Sequence, residues 1–275
     1  LANEHEMLFA KTPKGWDEYG QMIKSKDPYG HLTSIHHILS IYPKKEWMTH
    51  CSIQSTGIHY IPSWREEYQV PIIIDECGYE GDLEYPWGNI SAFEMVHRFW
   101  ESICRGGFCT HGETFHREDE VLWWAKGGVL HGESESRISF LKDLLYNLPE
   151  EGEAFLEKKK KDPNQDKEEM EKENKFQKMF EMAPPDRAVD FMMSKPMILF
   201  GENFRLQYFG RTCPIYMRAD LPEGGRYCAQ VIDVWEMTRT KVDGEFSGKA
   251  KIDLPGKEGI AVLISRVDGP SLSMN

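Results

Sequence analysis

The chain has 275 residues, of which 40% are hydrophobic, 28% charged and 12% aromatic. This profile is globular and excludes disordered and collagen-like classes. A net charge of −12 argues against nucleic acid and anionic membranes as partners, and no apolar run approaches the roughly 20 residues that span a bilayer.

The chain opens Leu-Ala-Asn-Glu, with neither an initiator Met nor a signal-like segment, so Leu1 reads as a processing boundary. Residues 1–4 read as the end of a strand and 16–26 as a helix. Residues 32–37 and 47–54 are short strand candidates. The run P-I-I-I-D-E-C at 71–77, β-branched and closed by Gly78, is the cleanest buried strand. Ser91 with Glu94 forms a capping box for a helix over 91–105, which ends at Gly106-Gly107. Residues 108–114 read as a strand and 134–148 as an amphipathic helix stopped by Pro149. This alternation predicts a mainly parallel sheet.

Residues 150–193 are dominated by charge and read as a solvated helical linker or insertion. Beyond Met193 the pattern has a period of two. Strands are expected at 197–200, 204–209, 215–219, 227–237, 249–254 and 260–267, with turns at Glu223-Gly224-Gly225 and Asp243-Gly244. Residues 194–275 are therefore expected to form a small antiparallel β-sandwich.

All ten His and seven of the eight Trp fall within residues 1–149, so the chemistry is expected there. The six Cys show no C-x-x-C pairing. They read as mostly buried free thiols, which favours a reducing, cytoplasmic compartment over secretion. Glu4 and Glu76 each end a predicted strand. The C-terminal strand ends of a parallel α/β fold line its active site, and two carboxyl groups flanking a glycosidic bond are the minimal machinery for its hydrolysis.

A-N-E at 2–4 and D-E-C-G-Y-E-G-D at 75–82 together resemble the clan of (β/α)8 retaining glycoside hydrolases. More narrowly, the chain resembles a bacterial branch related to the cellulase-like and apiosidase-like barrels, with a C-terminal β domain. The likeness is also carried by D-P-Y-G-H-L-T-S-I-H-H at 27–37, W-M-T-H-C-S-I-Q at 47–54 and W-G-N-I at 87–90. H-G-E-T at 111–114, L-W-W-A-K-G-G-V-L-H-G-E at 122–133 and D-V-W-E-M-T at 233–238 extend it over nearly the whole chain.

The resemblance implies that Glu4 is the acid/base and Glu76 the nucleophile. The substrate would be a plant or microbial oligo- or polysaccharide, with neither cofactor nor metal. It also implies that 1–149 supplies only strands four to eight of the barrel. The missing strands would come from an N-terminal segment or a partner chain, a second copy included, and activity would depend on them. Many clan members place a Tyr near the nucleophile from strand six. W-M-T-H-C-S-I-Q has none, leaving His50 or Gln54 as substitutes.

Further substrate-binding candidates are Asn3 (to the sugar 2-hydroxyl), His36, His37, His111 and Glu113, with Trp87, Trp123 and Trp124 as stacking platforms. Packing competes with binding at each Trp, and one of His36 and His37 is expected to face the sugar while the other packs in the wall. Glu113 also reads as a salt-bridged rim residue, Glu80 and Glu84 as loop charges, and Trp235 as core of the β domain. Two rival readings stand beside the hydrolase: a metal enzyme using His50, Cys51, Cys77, Cys109 and His111, and a non-catalytic glycan-binding or assembly fragment. A Cys77 nucleophile lacks an identifiable His partner.

Overall fold

The computed structural model describes residues 1–7, 12–39, 42–119, 129–154, 193 and 195–272. Strands β1 (His36–His37), β2 (Cys51–Gln54) and β3 (Ile72–Glu76) pair in parallel. Strand β4 (Glu80–Gly81) leaves that sheet, and β5 (Phe108–Cys109) joins the far side of β3, giving the order β1-β2-β3-β5. Side chains of one strand face, at Cys51, Ile53, Ile72 and Ile74, are fully buried. They pack with Ile61 and Tyr68 of helix α2 (Ile61–Tyr68), which the sequence reading missed.

Three departures from the expected pattern have local causes. Residues 1–4 form no strand: the Leu1 ammonium donates to the Ser34 carbonyl (2.7 Å) and the His36 N–H to that of Ala2 (3.0 Å). There the pairing stops, because Glu4 has φ +45°, a left-handed conformation that cannot extend a strand. Residues 108–114 divide between β5 and β6 (Glu113–Thr114), and β6 pairs in parallel with β4. Between them Gly112 lies under the Tyr79 ring, where a Cβ would meet Cδ1 at 2.2 Å. The expected strand at 227–237 ends at Asp233, whose carboxylate accepts the N–H groups of Trp235 and Glu236 and turns the chain.

The helices follow their signals closely. Thr12 caps α1 (Pro13–Lys26), and Ser91 accepts the Glu94 N–H (3.1 Å) at the start of α3 (Ala92–Cys104). Helix α4 covers Ser134–Tyr146.

The C-terminal strands are antiparallel, and β7 (Glu153–Ala154), inside the expected linker, joins them. A six-stranded sheet contains β8 (Met197–Phe200), β9 (Phe204–Tyr208), β11 (Arg226–Asp233), β12 (Thr238–Lys241) and β14 (Ile260–Asp268), in the order β12-β11-β14-β9-β8-β7. Strands β10 (Tyr216–Asp220) and β13 (Lys249–Asp253) form a separate pair. One compact unit comprises Leu1–Phe155 and Met197–Asn275, and Leu156–Pro196 forms a second. The expected linker otherwise lies almost wholly outside the described residues.

The six-stranded sheet is covered on both faces. Val96, Trp100 and Cys104 of α3, with Leu141 and Leu144 of α4, pack on Leu199, Phe204, Leu206, Tyr208 and Leu263. On the other face Met217, Ala219 and Ile252 of the β10–β13 pair meet Tyr227, Val262 and Ile264. Continuous burial from Ile260 to Ile264 follows from this, since neither face of β14 meets water. All six cysteines are free, as expected, but only Cys51, Cys77 and Cys104 are buried; Cys109 and Cys228 are half-buried and Cys213 is exposed. Among the described residues no helix is long and apolar enough to cross a membrane.

Trp100 is fully buried at the α3–sheet contact, so Trp100→Ala should lower unfolding free energy by about 3–5 kcal/mol in denaturant titrations. His97, on the same helix, lies 3.0 Å from the Tyr208 hydroxyl, and burial pushes its pKa below the ordinary histidine value. The unfolded chain therefore binds that proton more readily. Stability should fall as pH drops below about 6.5, and thermal melts of His97→Gln should show a shallower fall.

Candidate active site

The C-terminal ends of the parallel strands bring several polar side chains together. His36, buried at the end of β1, holds Nδ1 2.5 Å from Asn3 Oδ1 and Nε2 3.7 Å from Asp75 Oδ1. Asp75 also accepts a hydrogen bond from Ser52 Oγ on β2, and its carbonyl accepts one from Thr110 (2.6 Å). Asn3 is thus tied through one imidazole to the residue preceding Glu76.

Glu76 reaches this edge through a bulge. The register runs Ile53 opposite Ile74 and then Gln54 opposite Glu76, so Asp75 is the extra residue. Regular pairing would set Gln54 against Asp75; the bulge moves that pairing to Glu76. Tyr79 Oη donates to Glu76 Oε2 at 2.6 Å, and burial together with that carboxylate pushes the phenol pKa up, so Tyr79 stays a donor. Sequence reasoning missed Tyr79 by looking for a tyrosine on an earlier strand. Its signal was the three-residue spacing in E-C-G-Y.

The remaining candidates divide. His37 points away from His36 into the wall, with Nε2 3.2 Å from Cys51 Sγ and its ring edge-on to Tyr68. His50, just before β2, is half-buried beside Thr49 (3.1 Å), and burial pushes its pKa down. Gln54 faces Glu76 across the bulge. Trp87 follows β4 and accepts the Tyr79 N–H at its carbonyl (2.8 Å). Glu4 is half-buried on its left-handed turn. Trp123 and Trp124 lie outside the described residues.

His111 and Glu113 join a different group. Glu80 and Glu113 sit directly opposite one another on β4 and β6, each 4% exposed, which corrects their reading as a loop charge and a rim residue. Glu84 is exposed. Two like charges so placed repel, and the chain supplies donors for both. Glu80 accepts the N–H groups of Glu133 (2.7 Å) and Ser134 (3.1 Å) and the Ser134 hydroxyl, while Glu113 accepts those of His131 (2.7 Å) and Gly132 (3.1 Å). Helix α4 has no side-chain cap of its own; Glu80 supplies one from 54 residues away. Gly132 is required here, since a Cβ would lie 2.4 Å from the Glu80 carboxyl carbon. His111 Nε2 completes the group, 3.1 Å from Ser134 Oγ. Trp235 likewise is no interior residue of the β domain: it packs beside the α3–α4 core under the Arg137 guanidinium, 3.6 Å from its ring centre.

A family model described as a domain of unknown function (DUF5605) matches residues 194–265. No curated protein matches the chain by sequence. Among solved structures, one from Bacteroides vulgatus, provisionally assigned as a glycoside hydrolase, is similar over 97% of this chain and 51% of its own, with TM-score 0.75 and 24% identity. A family 5 glycoside hydrolase from the same organism matches over 91% of this chain and 58% of its own (TM-score 0.59, 17% identity). Another glycoside hydrolase matches over 92% and 61% (TM-score 0.57, 13% identity). These likenesses establish the fold, and the chain spans between half and two thirds of the length of each.

Glu80→Gln should remove a charged acceptor from the start of α4. The expected loss is about 1.5–3 kcal/mol of stability, with faster hydrogen exchange at the Ser134 amide.

Proposed function

We propose that the chain carries the catalytic end of a retaining glycoside hydrolase, with Glu76 as nucleophile and Glu4 as acid/base. The observation that supports this reading is the bulge at Asp75, which pairs Glu76 with Gln54 next to the contacts of His36 with Asn3 and Asp75. The similarity in fold to glycoside hydrolases supports it. In this reading the parallel strands belong to a (β/α)8 barrel. Further strands, from another part of the protein or a partner, complete it. The antiparallel strands form its accessory β-sandwich.

The chemistry follows from the two carboxyl groups. Glu76, held by the Tyr79 hydroxyl, attacks the anomeric carbon as Glu4 protonates the departing oxygen. The glycosidic C–O bond breaks and a glycosyl ester forms on Glu76. Glu4, now ionised, removes a proton from water, which attacks the same carbon and releases Glu76. The NH2 of Asn3 donates to the sugar 2-hydroxyl, and His36, His50, Gln54 and Trp87 hold neighbouring parts of the ring.

The test is azide rescue in the full-length protein with an activated aryl glycoside. Glu4→Ala should yield a glycosyl azide of retained configuration, and Glu76→Ala one that is inverted. Exchanged outcomes overturn the role assignment, and absence of wild-type turnover across a glycoside panel overturns the hydrolase reading. Glu4→Gln should lower kcat about 100- to 10,000-fold on substrates with poor leaving groups.

A further inference from the structure

Two groups of histidine and carboxylate side chains bring potential ligand atoms within 4.8 Å of one another: Glu80 with His111 and Glu113, and His5 with Glu6 and His37. Their hydrogen bonding separates them. In the first, the carboxylates are occupied by the α4 N-terminal turn, and His111 is bonded to Ser134. In the second, two ring nitrogens, His5 Nε2 and His37 Nδ1, are buried without a hydrogen-bond partner. His5 is 6% exposed and His37 is fully buried. A buried polar atom left unpaired costs about 1–3 kcal/mol, so two in one place call for an explanation.

We propose that His5, Glu6 and His37 bind a divalent cation of the Zn2+ class, which fastens the turn after Glu4 to the end of β1. His5 Nε2 lies 3.5 Å from Glu6 Oε1. Two ligands about 2.0–2.1 Å from a tetrahedral ion stand about 3.3–3.4 Å apart, so this pair already has nearly the required spacing. Two imidazoles and one carboxylate form a donor set that Zn2+ takes, whereas Mg2+ and Ca2+ prefer all-oxygen sites.

The surroundings suit this donor set. His37 Nε2 lies 3.2 Å from Cys51 Sγ, and in the tautomer that carries its proton on Nε2 the unpartnered Nδ1 is open to the ion. The ring of His5 rests edge-on against Tyr42, 5.2 Å between centres, in an apolar wall. Glu6 is preorganised by the Leu39 and Ile38 N–H groups (2.9 and 3.2 Å), which spare it further lone pairs. His5 and Glu6 lie on one turn and His37 comes from 31 positions further along, so the ion would clip a long loop.

The site is independent of the hydrolase reading, and its test uses metal binding rather than turnover. Chelator-treated full-length protein is titrated with Zn2+ against a chromophoric competitor, and with Co2+ read by the visible bands of a tetrahedral ion. Wild type should take up one equivalent. His5→Gln and Glu6→Gln should each weaken binding by at least about 100-fold, beyond the 10–100-fold typical of losing a partner behind a ligand. Glu6→Gln keeps an oxygen for the Leu39 and Ile38 N–H groups, so it reports on the ligand with the fold intact, which circular dichroism checks. Glu113→Gln should leave Zn2+ affinity unchanged. No uptake by wild type, or loss through Glu113→Gln with His5→Gln unaffected, overturns the proposal.

Discussion

Helix α3 is the element on which the rest of the described unit depends. Met95 belongs to the core of the parallel sheet, while Val96, Trp100 and Cys104 belong to that of the antiparallel sheet, and Phe99 packs against both. A helix with one apolar stripe can bury only one face; α3 buries two, so each sheet is packed against the same rigid rod. Its polar side chains continue the connection. Arg98 donates to the Cys77 carbonyl at the end of β3 and pairs with Glu94 (2.6 Å), whose other oxygen is held by Arg211 beyond β9. The strand end that carries Asp75 and Glu76 is thereby fixed from behind by the helix that also holds the β domain.

The polar groups at the strand ends are arranged by neighbours distant in sequence. Asn3 is oriented by His36, Asp75 by Ser52, and Glu76 by Tyr79 and by one extra residue in a strand pair. Such side chains lose less freedom on gripping a ligand than side chains on open loops, which is how a scaffold contributes to binding and rate. The proposed hydrolase chemistry depends on this preorganisation.

Buried charge follows the same logic next to β4. Glu80 and Glu113 would repel at their spacing, yet five donors from residues 131–134 converge on them. The start of α4 gains its cap and the carboxylates gain their counter-dipoles from a single contact. The His5–Glu6–His37 group shows the opposite balance, with nitrogens in excess of protein partners, and that difference singles it out.

The sequence by itself determined many of the element types and their order: the Ser91 cap, the β-branched run at 72–74 and the period-two strands beyond Met193 all act within a few residues. It also suggested the proposed pair Glu4 and Glu76, through the ordered motifs around Asn3-Glu4 and Asp75-Glu76. Only the tertiary structure decided which partners those side chains meet. The bulge at Asp75 arises from pairing with β2, and the burial of Glu80 from a helix 54 residues away. Likewise His36 and His37 are adjacent and identical in type, and the pleat of β1 sends one to Asn3 and the other to Cys51. Local patterns encode local conformation, whereas the register between strands and the partners of buried charges are set by contacts that no short window of sequence contains.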